Sequence, residues 1–129
     1  MGSQHMLSTT KYPSGWREPA ALLLDESGMI RDCCNIGEEL FGYSLSDMVS
    51  QHVSKLLPQL CGIELVKDGQ LNPKLDYLCH CGHLFGVQTQ LGGILPSELS
   101  LVSLEHAGRR ILKLFVLPFG NLDGEARFG

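Results

Sequence analysis

Three apolar stretches near the C-terminal end, "HLFGVQTQL", "ILPSELSLVSLEH" and "RRILKLFVLPF", are separated only by Gly92-Gly93 and Ala107-Gly108. Each reads as a strand, and glycine-bearing turns this short join neighbouring antiparallel strands. No helical crossover fits between them, so a parallel sheet is excluded and an antiparallel meander is required. The same grammar appears once before: "AALLLDESGMIRDCCN" reads as a strand over Ala20 to Leu24, a turn over Asp25-Glu26-Ser27-Gly28 and a strand over Met29 to Cys34. Between the two strand regions, "IGEELFGYSLSDMVSQHVSKLLPQL" loses the alternation and places its apolar residues at helical offsets.

Punctuation divides that middle block into several short helices. Asn35 is placed to cap the first, Gly42 permits its left-handed end, and Ser44 and Ser46 can cap the next. Pro58 interrupts or ends the last helix of the block. Asp68-Gly69 makes a turn, and Asn72 then precedes Pro73 as cap and first helical residue of "LNPKLDYLCH". The order is two strands, a block of short helices, three strands. This α+β arrangement, a five-stranded antiparallel sheet with its helices inserted after the second strand, buries the helices on one face.

Length and composition agree with one domain. The chain has 129 residues, 43% apolar and 19% charged, enough for a modest core. The opening "MGSQHM" reads as a vector-derived leader over residues 1–5 with the natural chain beginning at Met6, and 1–19 as a whole form an irregular lead-in. Residues 20–119 form the domain, and 120–129, "NLDGEARFG" after Gly120, read as a linker leading to something further. A net charge of −4 with no basic run beyond Arg109-Arg110 gives no footprint for nucleic acid. No stretch approaches the roughly 20 apolar residues of a membrane span. Five cysteines, an odd number in a domain with its own core, read as reduced thiols and a cytoplasmic setting.

The succession "LLLDESGMIRDCCNIGEELFGYSLSDMVSQHVSKLLP", followed later by "GGILPSELSLVSLEHAGRRILKLFVLP", resembles the PAS family of sensory domains. The likeness runs from about Ala20 to Phe119 and is carried by the order strand, turn, strand, asparagine, short helix, Phe-Gly-Tyr, and later by the Pro-x-Glu-hydrophobic start of a strand. Gln51 stands where the family often has glycine. The resemblance implies a sensory or protein-interaction module of a bacterial signalling protein, frequent dimerisation, and an output domain such as a histidine kinase or a cyclic-dinucleotide enzyme. A small apolar or mixed ligand would lie between sheet and helices, against Met48, Leu56, Tyr77, Leu99 and Leu101.

Other chemistries rest on particular residues. Flavin-binding light sensors of the family carry a reactive cysteine in "N-C-R-F-L-Q"; the matching "HVSKLLP" has none, so flavin is not expected. Haem-binding members use a histidine on the helix before the last three strands, where this chain has His80 and His83. One such residue facing a large apolar cavity would suffice, but solvated helix-end histidines are the plainer reading and haem is not expected. In "CHCGH", Cys79 and His83 would share a helix face at i,i+4, yet a C-x-C-x-H without a second knuckle falls short of a structural zinc site. Cys79 or Cys81 could instead serve as redox thiols, the basis of a haem- or thiol-based gas or redox sensor. Cys33 and Cys34, adjacent on a strand, should face opposite sides. No P-loop, dinucleotide fingerprint, G-x-S-x-G or H-E-x-x-H is present, and the module is not read as an enzyme.

"RRILKLFVLPF" is apolar on both alternating sets: Ile111, Phe115 and Leu117 on one, Leu112, Leu114 and Val116 on the other. One helical layer covers one sheet face only, so the second needs another cover. The expectation is a homodimer through the sheet, with Trp16, Leu112, Leu114 and Val116 at the interface. A ligand-free dimerisation or scaffolding module is the rival reading.

Overall fold

A computed structural model describes residues 19–118. Seven strands, β1 (Ala20–Leu24), β2 (Ile30–Cys33), β3 (Val66–Lys67), β4 (Gln70–Leu71), β5 (Phe85–Gln88), β6 (Ile94–His106) and β7 (Arg109–Pro118), accompany three α-helices. These are α1 (Asn35–Phe41), α2 (Leu45–Met48) and α3 (Pro73–His80), with 3-10 turns at Val53–Lys55 and Pro58–Leu60. Five strands form one antiparallel sheet in the order β2-β1-β7-β6-β5, and β3 pairs only with β4. Sheet and helices arrive in the order expected. The β3–β4 hairpin was not anticipated beyond its Asp68-Gly69 turn, because two-residue strands are too short to show alternation.

Local chemistry sets the helix ends. Gly42 closes α1 in the left-handed region (φ 82°) and donates its N–H to the Glu38 carbonyl, a geometry that a Cβ would oppose. The Glu38 carboxylate in turn accepts the Leu45 N–H at 2.6 Å, joining α1 to α2. Ser44 caps α2 by accepting from Asp47 N–H. Asn72 caps α3 by accepting from Lys74 N–H, with Pro73 at the first position. The expected cap at Asn35 is corrected: Asn35 is the first helical residue, and Cys34 occupies the cap position without a side-chain bond.

The core lies between the helices and one sheet face. Leu22, Leu24, Leu99, Leu101, Leu112, Leu114 and Val116 of the sheet meet Phe41, Met48, Val53, Leu56, Leu57 and Leu60 from above, all buried. Each side chain of this size contributes about 1.5–3 kcal/mol on burial. Both sheet edges are partly occupied from within. Ile30 donates to the Gln51 carbonyl and accepts from Ser50 N–H, both at 2.8 Å, while Gln88 N–H bonds the Leu56 carbonyl at 2.7 Å. Gly86 N–H is taken by the Gln59 side chain. A row of free edge groups is the usual template for strand addition, and here part of each row is already bonded.

Candidate functional site

Strand alternation defines two faces, and the register across β1, β7 and β6 shows which residues share the open one. Ala21 stands opposite Phe115 and Leu23 opposite Lys113. On the other side of β7, Phe115 meets Ser100, Lys113 meets Val102, Ile111 meets Leu104 and Leu117 meets Glu98. Leu23, Ile111, Phe115 and Leu117 therefore share this face, and each is half-buried. The same face of β6 carries Val102, 38% exposed, and Leu104, 44%, with Ile94, 60%, apart at the strand's other end beside Gln88. Lys113 lies on the same face, its Nζ 5.3 Å from the Phe115 ring centroid, a cation–π contact that leaves the ammonium in water.

The expected dimer residues are thereby corrected. Leu112, Leu114 and Val116 pair with Leu24, Leu22 and Ala20 and lie in the core beneath the helices. The open set is Ile111, Phe115 and Leu117. Lys113 was the available signal, since a lysine in the middle of an apolar strand marks its solvent side. Trp16 lies outside the described residues.

Of the expected pocket residues, Met48, Leu56, Leu99 and Leu101 are brought together as packed core. Tyr77 is 67% exposed and does not line that interior; on the eight-residue α3, Leu75 takes the buried position instead. A separate groove of about 330 Å³ is lined by Glu26, Ser27, His52 and residues Gly62 to Val66. Nothing in the sequence hints at it, because it joins a turn, a 3-10 cap and an irregular segment far apart in the chain.

The "CHCGH" residues diverge. The helix ends at His80 and Gly82 turns with φ 81°, so the expected i,i+4 face shared by Cys79 and His83 is not formed. His80 is exposed and its Nδ1 bonds the Asp76 carbonyl at 2.8 Å. The exposed His83 packs edge-on against Phe85 with centroids 4.6 Å apart. Neither histidine points into the apolar interior, and among the described residues no three His, Cys, Asp or Glu side chains are grouped to hold a metal ion. Burial, with lesser repulsion from Asp76 and Cys81, pushes the Cys79 thiol up to about 11, which disfavours the nucleophilic thiolate.

Cys33 and Cys34 do not face opposite sides, because β2 ends at Cys33. Both pack against the margin of the core, and Cys34 Sγ accepts the Ala21 N–H at 3.2 Å. The Cys33 thiol is pushed up to about 12 by burial first, then by Cys34, Glu38 and Asp32. This pair serves structure.

No protein-family model matches the chain, and no curated protein matches it. Solved structures do. A PAS domain from a two-component sensor histidine kinase is 17% identical, with 90% of this chain and 98% of that one covered and a TM-score of 0.60. The PAS domain of nitrogen regulation protein NR(II) from Vibrio parahaemolyticus is 20% identical over 78% of this chain and 89% of that one, at 0.55. A domain of a sensory box sensor histidine kinase/response regulator from Geobacter sulfurreducens is 15% identical over 88% and 92%, at 0.54. At such identities the likeness is one of fold.

Proposed function

We propose that this chain, whose fold is that of PAS domains, is a sensory module without catalysis of its own, and that it regulates a linked output domain through its open sheet face. The observation that carries the reading is the apolar surface of Leu23, Ile111, Phe115, Leu117, Val102 and Leu104 on the side of the sheet opposite the helical core. Apolar side chains left open to water on one sheet face cost solvation free energy unless a partner covers them. Partial occupation of both edges by internal bonds favours association by the face over strand addition. The partner is a second copy of the chain, and a signal acts by shifting the population of the paired arrangement. The signal is read at this interface, on the side of the sheet opposite the core that holds Met48, Leu56, Leu99 and Leu101.

Light scattering across a concentration series tests this directly. The unaltered chain is expected at dimer mass and Phe115→Glu at monomer mass, with an unchanged far-ultraviolet spectrum, since Phe115 lies on the open face. A chain that stays monomeric at high micromolar concentration, or a dimer indifferent to Phe115→Glu, contradicts the reading.

A further inference from the structure

Arg110 stands on the helix-covered side of β7, just beyond the last core residue of that strand, Leu112, and past the end of the β1 pairing at Leu24–Leu112. Its guanidinium reaches three parts of the chain at once. Nη2 donates to the Gly69 carbonyl in the β3–β4 turn at 2.6 Å, Nη1 donates to Ser103 Oγ on β6, and Nε lies 3.7 Å from the Glu26 carboxylate in the β1–β2 turn.

The hairpin that it grips has little else at its tip. Its strands are two residues each, residues 67–70 are exposed, and an isolated two-stranded hairpin is marginal in water. Its base is fixed separately: Asn72 N–H bonds the Leu65 carbonyl at 2.8 Å, Asn72 Nδ2 bonds the Glu64 carbonyl, and Leu65 is buried. Residues 62–66, the chain entering β3, are also the wall of the groove lined by Glu26, Ser27 and His52.

We propose that Arg110 is a latch: its forked guanidinium holds the β3–β4 hairpin down on the sheet, and its release swings the hairpin about its Leu65–Asn72 base and widens the groove. The short charge-assisted bond to Gly69 is the main tether. The Glu26 pair is secondary, because that carboxylate is 60% exposed against 21% for Arg110 and the separation is long. Glu26 nevertheless belongs to both latch and groove, so anything that engages Glu26 in the groove slackens the latch from one side. Lysine cannot replace the fork, having a single ammonium for three divergent partners. The latch is independent of the dimer reading, since Arg110 lies on the opposite face of β7 from Phe115.

Amide hydrogen exchange, resolved by residue, tests the latch. Arg110→Gln and Arg110→Lys are both expected to raise exchange in residues 64–72 about tenfold, leaving the amides of β1 and the centre of β7 unchanged, while Glu26→Gln raises it less than about threefold. Unchanged exchange in 64–72, an increase spread evenly over the sheet, or full protection in Arg110→Lys would overturn the proposal. Should Arg110→Gln fail to fold, Ser103→Ala removes one anchor of the guanidinium and keeps the charge. A rise confined to 64–72 then supports the latch, and no rise refutes it.

Discussion

Ala107 and Gly108 turn the β6–β7 hairpin with both φ angles positive, 52° and 78°, as a type I′ turn requires. Glycine accepts this freely, but alanine presses its Cβ on the neighbouring carbonyl at a cost of about 1–2 kcal/mol. Asparagine tolerates the left-handed region, so Ala107→Asn should stabilise the chain by about 0.5–1 kcal/mol, read as a higher urea midpoint at unchanged slope. A lower midpoint would refute that reading of the turn. At Gly37 the constraint is space instead. A Cβ there would strike Cys33 Sγ, with the Phe41 ring at 3.3 Å on another side. Gly37→Ala should therefore destabilise by about 1–3 kcal/mol, and adding Cys33→Ala should recover part of the loss. If the second change brings nothing back, the sulfur is not what blocks the methyl group.

Among elements, α3 depends most visibly on one cap. Asn72 accepts the Lys74 N–H at 3.0 Å and donates to the Glu64 carbonyl at 2.8 Å, so it both starts the helix and ties the preceding segment to it. Asn72→Ala should cost about 1–2 kcal/mol; Asn72→Asp, which keeps the acceptor and loses the donor, should fall between. Equal losses in the two variants would mean that the cap contributes nothing. This cap was legible because its signal is local: asparagine, then proline, then leucines at helical spacing. The five strands of the main sheet were legible for the same reason, as short apolar runs set off by glycine turns. The face on which each set lies is not local. Leu112 and Ile111 look alike in sequence; Lys113 alone hints at which set faces water, and the pairing of β7 with Leu22 and Leu24 assigns the even-numbered set to the core. Arg110 was invisible as a latch because its hydrogen-bond partners lie 7 and 41 positions away, and Glu26 further still, joined by nothing but the fold. Asn35 misled differently: its amide suits a cap, but β2 ends one residue earlier than a capping asparagine needs.

For the molecule as a whole, the half-buried thiols set a pH dependence with a definite sign. Cys33 is pushed up to about 12 and Cys79 to about 11, from an ordinary 9.0, in both cases by burial first. Well below pH 9 each is protonated whether the chain is folded or unfolded, and neither makes stability depend on pH. Above pH 9 the unfolded chain sheds these protons while the folded one keeps them. The unfolded state then binds fewer protons, so stability falls with rising pH through the window up to about 11 for Cys79 and about 12 for Cys33. Lysine and tyrosine deprotonation also act in this range, so the comparison must be between chains. The Cys33→Ala/Cys79→Ala variant loses some packing and starts lower, but its urea midpoint should decline less steeply above pH 9 than that of the unaltered chain. Parallel declines would show that the two thiols ionise as readily folded as unfolded, and that their burial at the helix–sheet margin carries no electrostatic penalty.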